Sequence, residues 1–411
     1  MARNTLWLLA GQGTGLALQA VYFVFVARLL GSTQYGVFVG AFAMTNLVAQ
    51  YSPLGTGTVF LRYVSGRPEV YHEYLGNILV TTAVMGSVLV GAICLSARYV
   101  LNPESAQLAF LAAIANCLFA QLTIELARVF QAFEKMRITA MLNLLVNAAR
   151  TLAAVVLWFA VHSTSAYGWA VVSTVVSGLA AAAGVTLCLA YFGMPKLGFK
   201  VGRKHFTEGV GFSFASSTTT VYNDVDKTML SHYGMNQANG IYSTAYRVVD
   251  FATMPVFAIR DAALPKLFRL GRESIVQSAE YGRTLLKKSF VVSAVISLGL
   301  FCCAGLIPLV VGHSFEESAT ALRWLAIIPL FRSIHQMTGI VLTSAGKQRT
   351  RTIAQCSAAG VNLALNLYLI PHYGWLGAAW ASVLTDGLLA LLNWLNLRIA
   401  VRRAKASLAA I

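Results

Sequence analysis

Charge is what this chain lacks most. Only 11% of its 411 residues are charged, and acids are the rarer sign, with 15 Asp and Glu against 31 Lys and Arg. A soluble globular chain carries about 25% charged residues. With 57% hydrophobic residues and a mean hydropathy of +0.66, this chain reads instead as a polytopic membrane protein. No polar block is long enough to build a separate water-soluble domain. The segment Met1 to Leu30 has one positive charge ahead of its apolar run, Arg3, and no small-residue cleavage site before a polar start, so a cleaved signal is not expected.

Other absences narrow the function. A net charge of +16 would suggest nucleic acid in a soluble protein. Here basic–aromatic interleaving on a polar face is missing and the positives fall in loops, so no nucleic-acid partner is expected. Cys94, Cys117, Cys188, Cys302, Cys303 and Cys356 all lie in apolar runs without ligand spacing, which predicts neither metal nor disulfides. His162, His232, His313 and His372 are scattered near outer span ends and suggest no metal centre either. A Walker motif is absent. Gly11-Gln12-Gly13-Thr14-Gly15 lacks the preceding strand and the third glycine of a nucleotide loop, and reads as a place for helix bending or close approach. Glu316 and Glu317 are the only paired outer carboxylates, on a short loop. That is too little for the acid, base and sugar-binding groups of a membrane glycosyltransferase, so neither an enzyme nor a cofactor is expected.

What remains is helical. About twelve segments approach the ~20 apolar residues that cross a bilayer: 5–30, 36–60, 75–97, 106–127, 138–161, 166–193, 208–232, 240–259, 289–311, 323–343, 353–371 and 375–397. With the N-terminus inside, 24 Lys and Arg fall on inner segments and three on outer ones, Arg28, Arg98 and Arg323. That bias predicts two cytoplasmic termini. The longest inner segment, Lys266 to Lys288, mixes bases with Leu267, Phe268 and Ile275 and predicts a helix on the membrane surface. Pro195–Phe206, also basic, joins the two halves; both segments read as contacts to lipid headgroups.

The chain repeats itself at an offset of 203 to 206 residues. Leu30-Gly31-Ser32-Thr33-Gln34-Tyr35-Gly36 resembles Tyr233-Gly234-Met235-Asn236-Gln237-Ala238-Asn239-Gly240, and Tyr167-Gly168-Trp169 returns as Tyr373-Gly374-Trp375. This predicts two parallel six-helix halves, 1–200 and 201–411.

The charges left inside spans are the candidates for function. Phe206 to Pro265 reads as a helical hairpin carrying Asp224, Asp226 and Lys227, then Arg247 and Asp250. Each ion near a bilayer centre costs on the order of 3 kcal/mol, so such residues pair with one another or face a wet cavity. Two readings stand side by side: a network that pins helices, or a substrate or ion site. Shifted back by the repeat, Asp226, Lys227 and Arg247 fall on Phe23, Val24 and Ala43. The first half thus builds its hairpin without ions there, which favours a role beyond packing. Glu125 and Arg128, one turn apart, read as a local ion pair. Arg150 and Arg332 each want an anion or a carboxylate. His335 reads as a hydrogen-bonded interior residue, and Asp386 as a partner for these groups or a proton carrier.

Three stretches together resemble the polysaccharide-transport flippases: Ala27-Arg28-Leu29-Leu30-Gly31 with Tyr35-Gly36; Gly240-Ile241-Tyr242-Ser243-Thr244-Ala245-Tyr246-Arg247 after the Asp226 helix; and Asn366-Leu367-Tyr368-Leu369-Ile370-Pro371-His372-Tyr373-Gly374-Trp375-Leu376-Gly377-Ala378-Ala379. The resemblance implies the multidrug/oligosaccharidyl-lipid/polysaccharide exporter (MOP) fold, all-α, with two six-helix lobes around a central cavity. It implies flipping of an undecaprenyl-diphosphate-linked oligosaccharide to the outer leaflet of a bacterial inner membrane, for O-antigen, capsule or exopolysaccharide assembly. A glycan polymerase and chain-length machinery are the implied partners. The family's basic cavity would be supplied here by Arg247, Lys227, Arg150 and Arg332, with Asp224, Asp226, Asp250 and Asp386 holding them or exchanging H+ or Na+. The clustered arginines in the first two helices that mark the peptidoglycan-precursor flippases are missing. A cation-coupled drug exporter of the same superfamily is the alternative, disfavoured by the surplus of basic residues in the spans.

Overall fold

Apolar segments of this length leave each backbone N–H and C=O to be satisfied within its own helix, because hydrocarbon offers no partners. The computed structural model of the chain describes residues 2–64, 68–196 and 203–409, and these contain no strand. The linker residues 197–202, and Arg67 among the expected inner positives, lie outside the described residues.

The helices in order are α1 (Ala2–Ala49), α2 (Thr56–Val64), α3 (Tyr71–Val100), α4 (Pro103–Ala113), α5 (Gln121–Ala132), α6 (Met136–Val161), α7 (Ala166–Phe192) and α8 (Arg203–His232). They continue as α9 (Asn236–Glu273), α10 (Ile275–Cys303), α11 (Ile307–Val311), α12 (Glu316–Leu325), α13 (Ile328–Ser344), α14 (Gln348–Tyr373) and α15 (Trp375–Ala409). A π-helical stretch, Ile114–Ala120, joins α4 to α5. As one rod, the 48 residues of α1 would reach about 72 Å, more than twice the ~30 Å hydrocarbon core. Gly31 breaks it, with φ 67° and ψ 172° that a side chain would resist, so α1 is two helices.

Among the described residues, eight helices are long and apolar enough to cross a membrane, or nine if α12 and α13, bent by 47°, form one span. Dividing α1 at Gly31 and adding the charged helices α8 and α9 brings the number to the expected twelve. Exposed Leu95, Phe159, Leu179, Val295, Leu298 and Leu367 give the helices the apolar outer faces that lipid requires.

Several boundaries differ from expectation. The second span ends at Ala49; a turn at Pro53, whose carbonyl accepts from Thr56 Oγ1 at 2.7 Å, sets α2 apart. The stretch Lys266–Lys288 is not a separate surface helix. It is the end of α9 and the start of α10, divided at Ser274, whose hydroxyl caps α10 by accepting from Val276 N at 3.2 Å. Gly13 and Gly15 are not sites of close approach: a Cβ on Gly13 would meet nothing, and one on Gly15 only ordinary contacts with Leu144 and Asn147.

By packing, the chain divides into two compact units, 1–240 and 241–411. The repeat boundary near residue 200 describes how the sequence recurs; the packing division follows helix contacts and keeps α8 with the first unit, against α1. The first unit's core gathers Phe60, Leu75, Ile78, Leu126, Phe130 and Leu142. In the second, α10, α13 and α15 enclose Val256, Leu267, Leu285, Met337 and Val341.

The repeated turns meet in the first unit. A Cβ on Gly36 would overlap the backbone of Asn236 and Gly240, and one on Gly240 would overlap the carbonyl of Ser32. Asn239 Nδ2 then donates to Gly36 O at 3.1 Å and to Lys227 O at 3.0 Å, tying the start of α9 to α1 and α8. Asn102, the N-cap of α4, donates to Ser231 O and to Asn236 Oδ1, both at 2.7 Å. Since the obstacles at Gly36 and Gly240 are backbone, Gly36→Val and Gly240→Val are expected to abolish recovery of monodisperse protein, while Gly13→Val behaves as the parent. Size-exclusion chromatography after detergent extraction checks this; normal yields of Gly36→Val would mean the two turns do not touch.

Candidate functional site

In the first unit, the charge of Lys227 in α8 is matched within its own helix. Lys227 Nζ donates to Asp224 Oδ1 at 2.6 Å and to Asn223 O at 2.7 Å. Asn46 of α1 donates to the other Asp224 oxygen at 3.4 Å. Asn116 donates in turn to Asn46 Oδ1 at 2.9 Å and to Thr45 Oγ1 at 2.7 Å. Asp226 is buried, and its Oδ1 accepts from the backbone N–H of Lys227 at 2.7 Å.

These groups border a cavity of about 330 Å³, with Asn46, Gln50, Asn116, Gln121, Thr220 and Asp224 as its polar lining. Asn46 lies in the last turn of α1 and Gln50 is the first residue past its end. Asn116 and Gln121 lie five residues apart, which in an α-helix would set them on different faces. The π-helical stretch Ile114–Ala120, whose turn closes i to i+5, brings both to the same wall. The sequence reading singled out none of these four carboxamides. The available signal was their occurrence inside apolar runs; their convergence depends on the π-turn.

The second unit holds a separate network. Arg332 of α13, 6% exposed, donates to Asp250 Oδ1 at 2.7 Å and to the Tyr246 hydroxyl at 2.9 Å, and its guanidinium lies 5.3 Å from the centre of the Tyr246 ring. One turn on, His335 Nε2 lies 3.2 Å from Oδ1 of Asp386, which is fully buried on α15. Tyr242 and Ser382 share a hydrogen bond at 2.8 Å beside them.

The eight site residues expected from sequence thus fall in different places. Asp224, Asp226 and Lys227 lie in the first unit; Asp250, Arg332 and Asp386 lie in the second with His335. Arg150, half-buried, donates to Ser177 Oγ at 2.7 Å across α6 and α7, with no acidic partner among the described residues. Arg247 is exposed, and its guanidinium lies 5.9 Å from the centre of the Phe251 ring. Arg128 and Glu125 form the expected local pair at 2.6 Å. Asp250 illustrates what periodicity misses: its partner is 82 residues away, not on its own hairpin.

Comparisons with known proteins bear on what this arrangement serves. Residues 1–270 match the model of the polysaccharide biosynthesis protein family. Over 393 residues the chain is 24% identical to the probable low-salt glycan biosynthesis flippase Agl15 of Haloferax volcanii, spanning 94% of this chain and 81% of that protein. Among solved structures, an inward-facing multidrug resistance MATE family transporter of the MOP superfamily matches with a TM-score of 0.77 at 15% identity, over 96% of this chain and 95% of that one. The lipid II flippase MurJ, in an inward closed conformation, gives a TM-score of 0.77 at 13% identity, over 96% and 87%. At such identities these likenesses show that the chain shares the fold of these two transporters. With well over half of its length matched, the chain belongs to the polysaccharide biosynthesis protein family.

Proposed function

We propose that the protein is a flippase that carries a lipid-linked oligosaccharide, held on a polyprenyl diphosphate such as undecaprenyl diphosphate, from the cytoplasmic to the outer leaflet of a bacterial inner membrane. It serves assembly of a surface glycan (O-antigen, capsule or exopolysaccharide) and works by alternating access rather than by chemistry on the sugar. Both termini are cytoplasmic in this reading.

The observation that carries it is the cavity lined by carboxamides in the first unit. Sugar hydroxyls both donate and accept, and Asn and Gln side chains match them in both directions. Burying such groups is costly unless each finds a hydrogen-bond partner; Asn46 and Asn116 have theirs within the protein, and a polar cargo would supply partners at Gln50 and Gln121. The glycan-flippase relative supports the same substrate class. For the diphosphate, Lys227 and Arg332 already have carboxylate partners, so we assign the first contact to exposed Arg247, where a cation answers phosphate by charge-assisted hydrogen bonds. Arg150 is a second candidate. Asp250 with Arg332 and Asp386 with His335 are the groups assigned to coupling by H+ or Na+, and Asp226 to holding α8. A second reading, a cation-coupled drug exporter, draws on the fold shared with the MATE transporter.

Gln50→Leu with Gln121→Leu is expected to lower surface glycan export roughly thirtyfold at normal protein abundance, since each of the two lost pairings contributes about 1 kcal/mol. Arg247→Ala should reduce export strongly and Arg247→Lys partly, with drug susceptibility unchanged; a complementation assay with immunoblot control reads both. Unaltered glycan output from these variants would remove the flippase assignment, and a selective loss of drug resistance would favour the exporter. Separately, Asp250→Ala should destabilise the protein by about 1–3 kcal/mol through the stranded Arg332. Adding Arg332→Met should recover much of that loss in a thermal melt, because an apolar pair needs no partner.

A further inference from the structure

The second unit carries a groove of about 540 Å³ between α10, α13 and α15, whose lining includes none of the eight site residues expected from sequence. Its floor is apolar, with Leu286, Met337, Val341 and Leu397. Its rim holds Arg283 from α10 and Arg398, Arg402 and Lys405 from α15, against a single acid, Glu280. None of the four cations forms an ion pair among the described residues. The walls are close-set: a Cβ on Gly282 would run into the Val341 side chain.

The helix surface that enters the groove is graded along α15, from Leu391 beyond it to Trp394, Arg398, Arg402 and Lys405 in its lining. Leu391, Trp394, Arg398, Arg402 and Lys405 follow one another at spacings of three or four, so they form one stripe on the helix. Leu391 is 51% exposed and Trp394 38%, and the Arg398 guanidinium lies 4.3 Å from the centre of the Trp394 ring. Beyond them the stripe is basic over roughly 10 Å. On α10, exposed Phe290 and Val291 lie on the apolar side of Arg283 in the same sense. Hydrocarbon is therefore matched at one end, an aromatic at the middle and negative charge at the other.

We infer that this groove is a binding site for an anionic phospholipid of the surrounding membrane, whose phosphate sits among Arg283, Arg398, Arg402 and Lys405 while its acyl chains follow Leu391 and Phe290. A soluble anion would leave the apolar floor unused, and nucleic acid would find no polar aromatic face. Solitary snorkelling cations would spread toward water one by one, whereas these converge from two helices on one cavity. The excess of basic residues on expected inner segments places the rim by the leaflet richer in acidic lipid. The inference stands independently of the glycan reading.

The test is native mass spectrometry of the full-length protein from nanodiscs of phosphatidylcholine doped with phosphatidylglycerol. The parent should retain phosphatidylglycerol selectively. Arg398→Gln with Arg402→Gln should weaken retention by about fivefold per charge removed, and Arg398→Lys with Arg402→Lys should keep most of it. Arg403→Gln, exposed on α15 but outside the groove, should change nothing. Equal weakening by Arg403→Gln would reduce the effect to general surface charge and overturn the site. So would preferential displacement of phosphatidylglycerol by polyprenyl diphosphate, which would make the groove part of the substrate route. A photoactivatable phosphatidylglycerol on the parent protein should label peptides of α10 and α15; labelling elsewhere alone would overturn the proposal without any variant.

Discussion

An ionised side chain that leaves water needs its counter-charge and its hydrogen bonds inside the protein, or it does not stay ionised. The polar geometry of this chain follows from that requirement, met in two ways. On α8 the match is local, Lys227 to Asp224 one turn away, with Asn46 of α1 at the second oxygen. In the second unit it is long-range, with Arg332 drawn to Asp250 and Tyr246 across helices and Asp386 to His335. A local pair balances its charge without a second helix. A long-range pair fixes two helices in one register, since moving either strands a charge.

Small residues and backbone irregularities do the positioning. Gly36 and Gly240, matching places in the two repeated turns, let backbones approach where a methyl group would collide, and Asn239 converts that proximity into hydrogen bonds. The π-helical turn at Ile114–Ala120 rotates the chain so that Asn116 and Gln121 share a wall with Asn46 and Gln50. The result is a polar chamber whose walls are mostly neutral amides, joined to one ion pair. Neutral amides would suit the hydroxyl-rich cargo proposed above.

Much of the fold was legible in the sequence because a membrane constrains it so tightly. Runs of about twenty apolar residues must be spans, and the alternation of Lys and Arg counted two that hydropathy passes over, α8 and α9. Glu125 with Arg128 was legible because its geometry is set by helical spacing alone. Termini of helices were less so. The break after Ala49 and the division at Ser274 turn on a carbonyl or a hydroxyl capping a neighbour, which composition does not weigh.

The sequence by itself determined that this is an all-helical membrane protein, which segments span, that a motif recurs in each half, and which few ions sit among apolar neighbours. These follow from the hydrophobic effect and helical periodicity, which act within one segment. Only the tertiary structure decided that Asp250 answers Arg332, that Asp386 answers His335, that four unremarked carboxamides line a single cavity, and that Arg247 stands exposed. Those facts depend on how helices distant in sequence are rotated against one another. That rotation is set by packing between helices, in the first unit at Gly36, Gly240 and one π-turn, not by the pattern of any single helix.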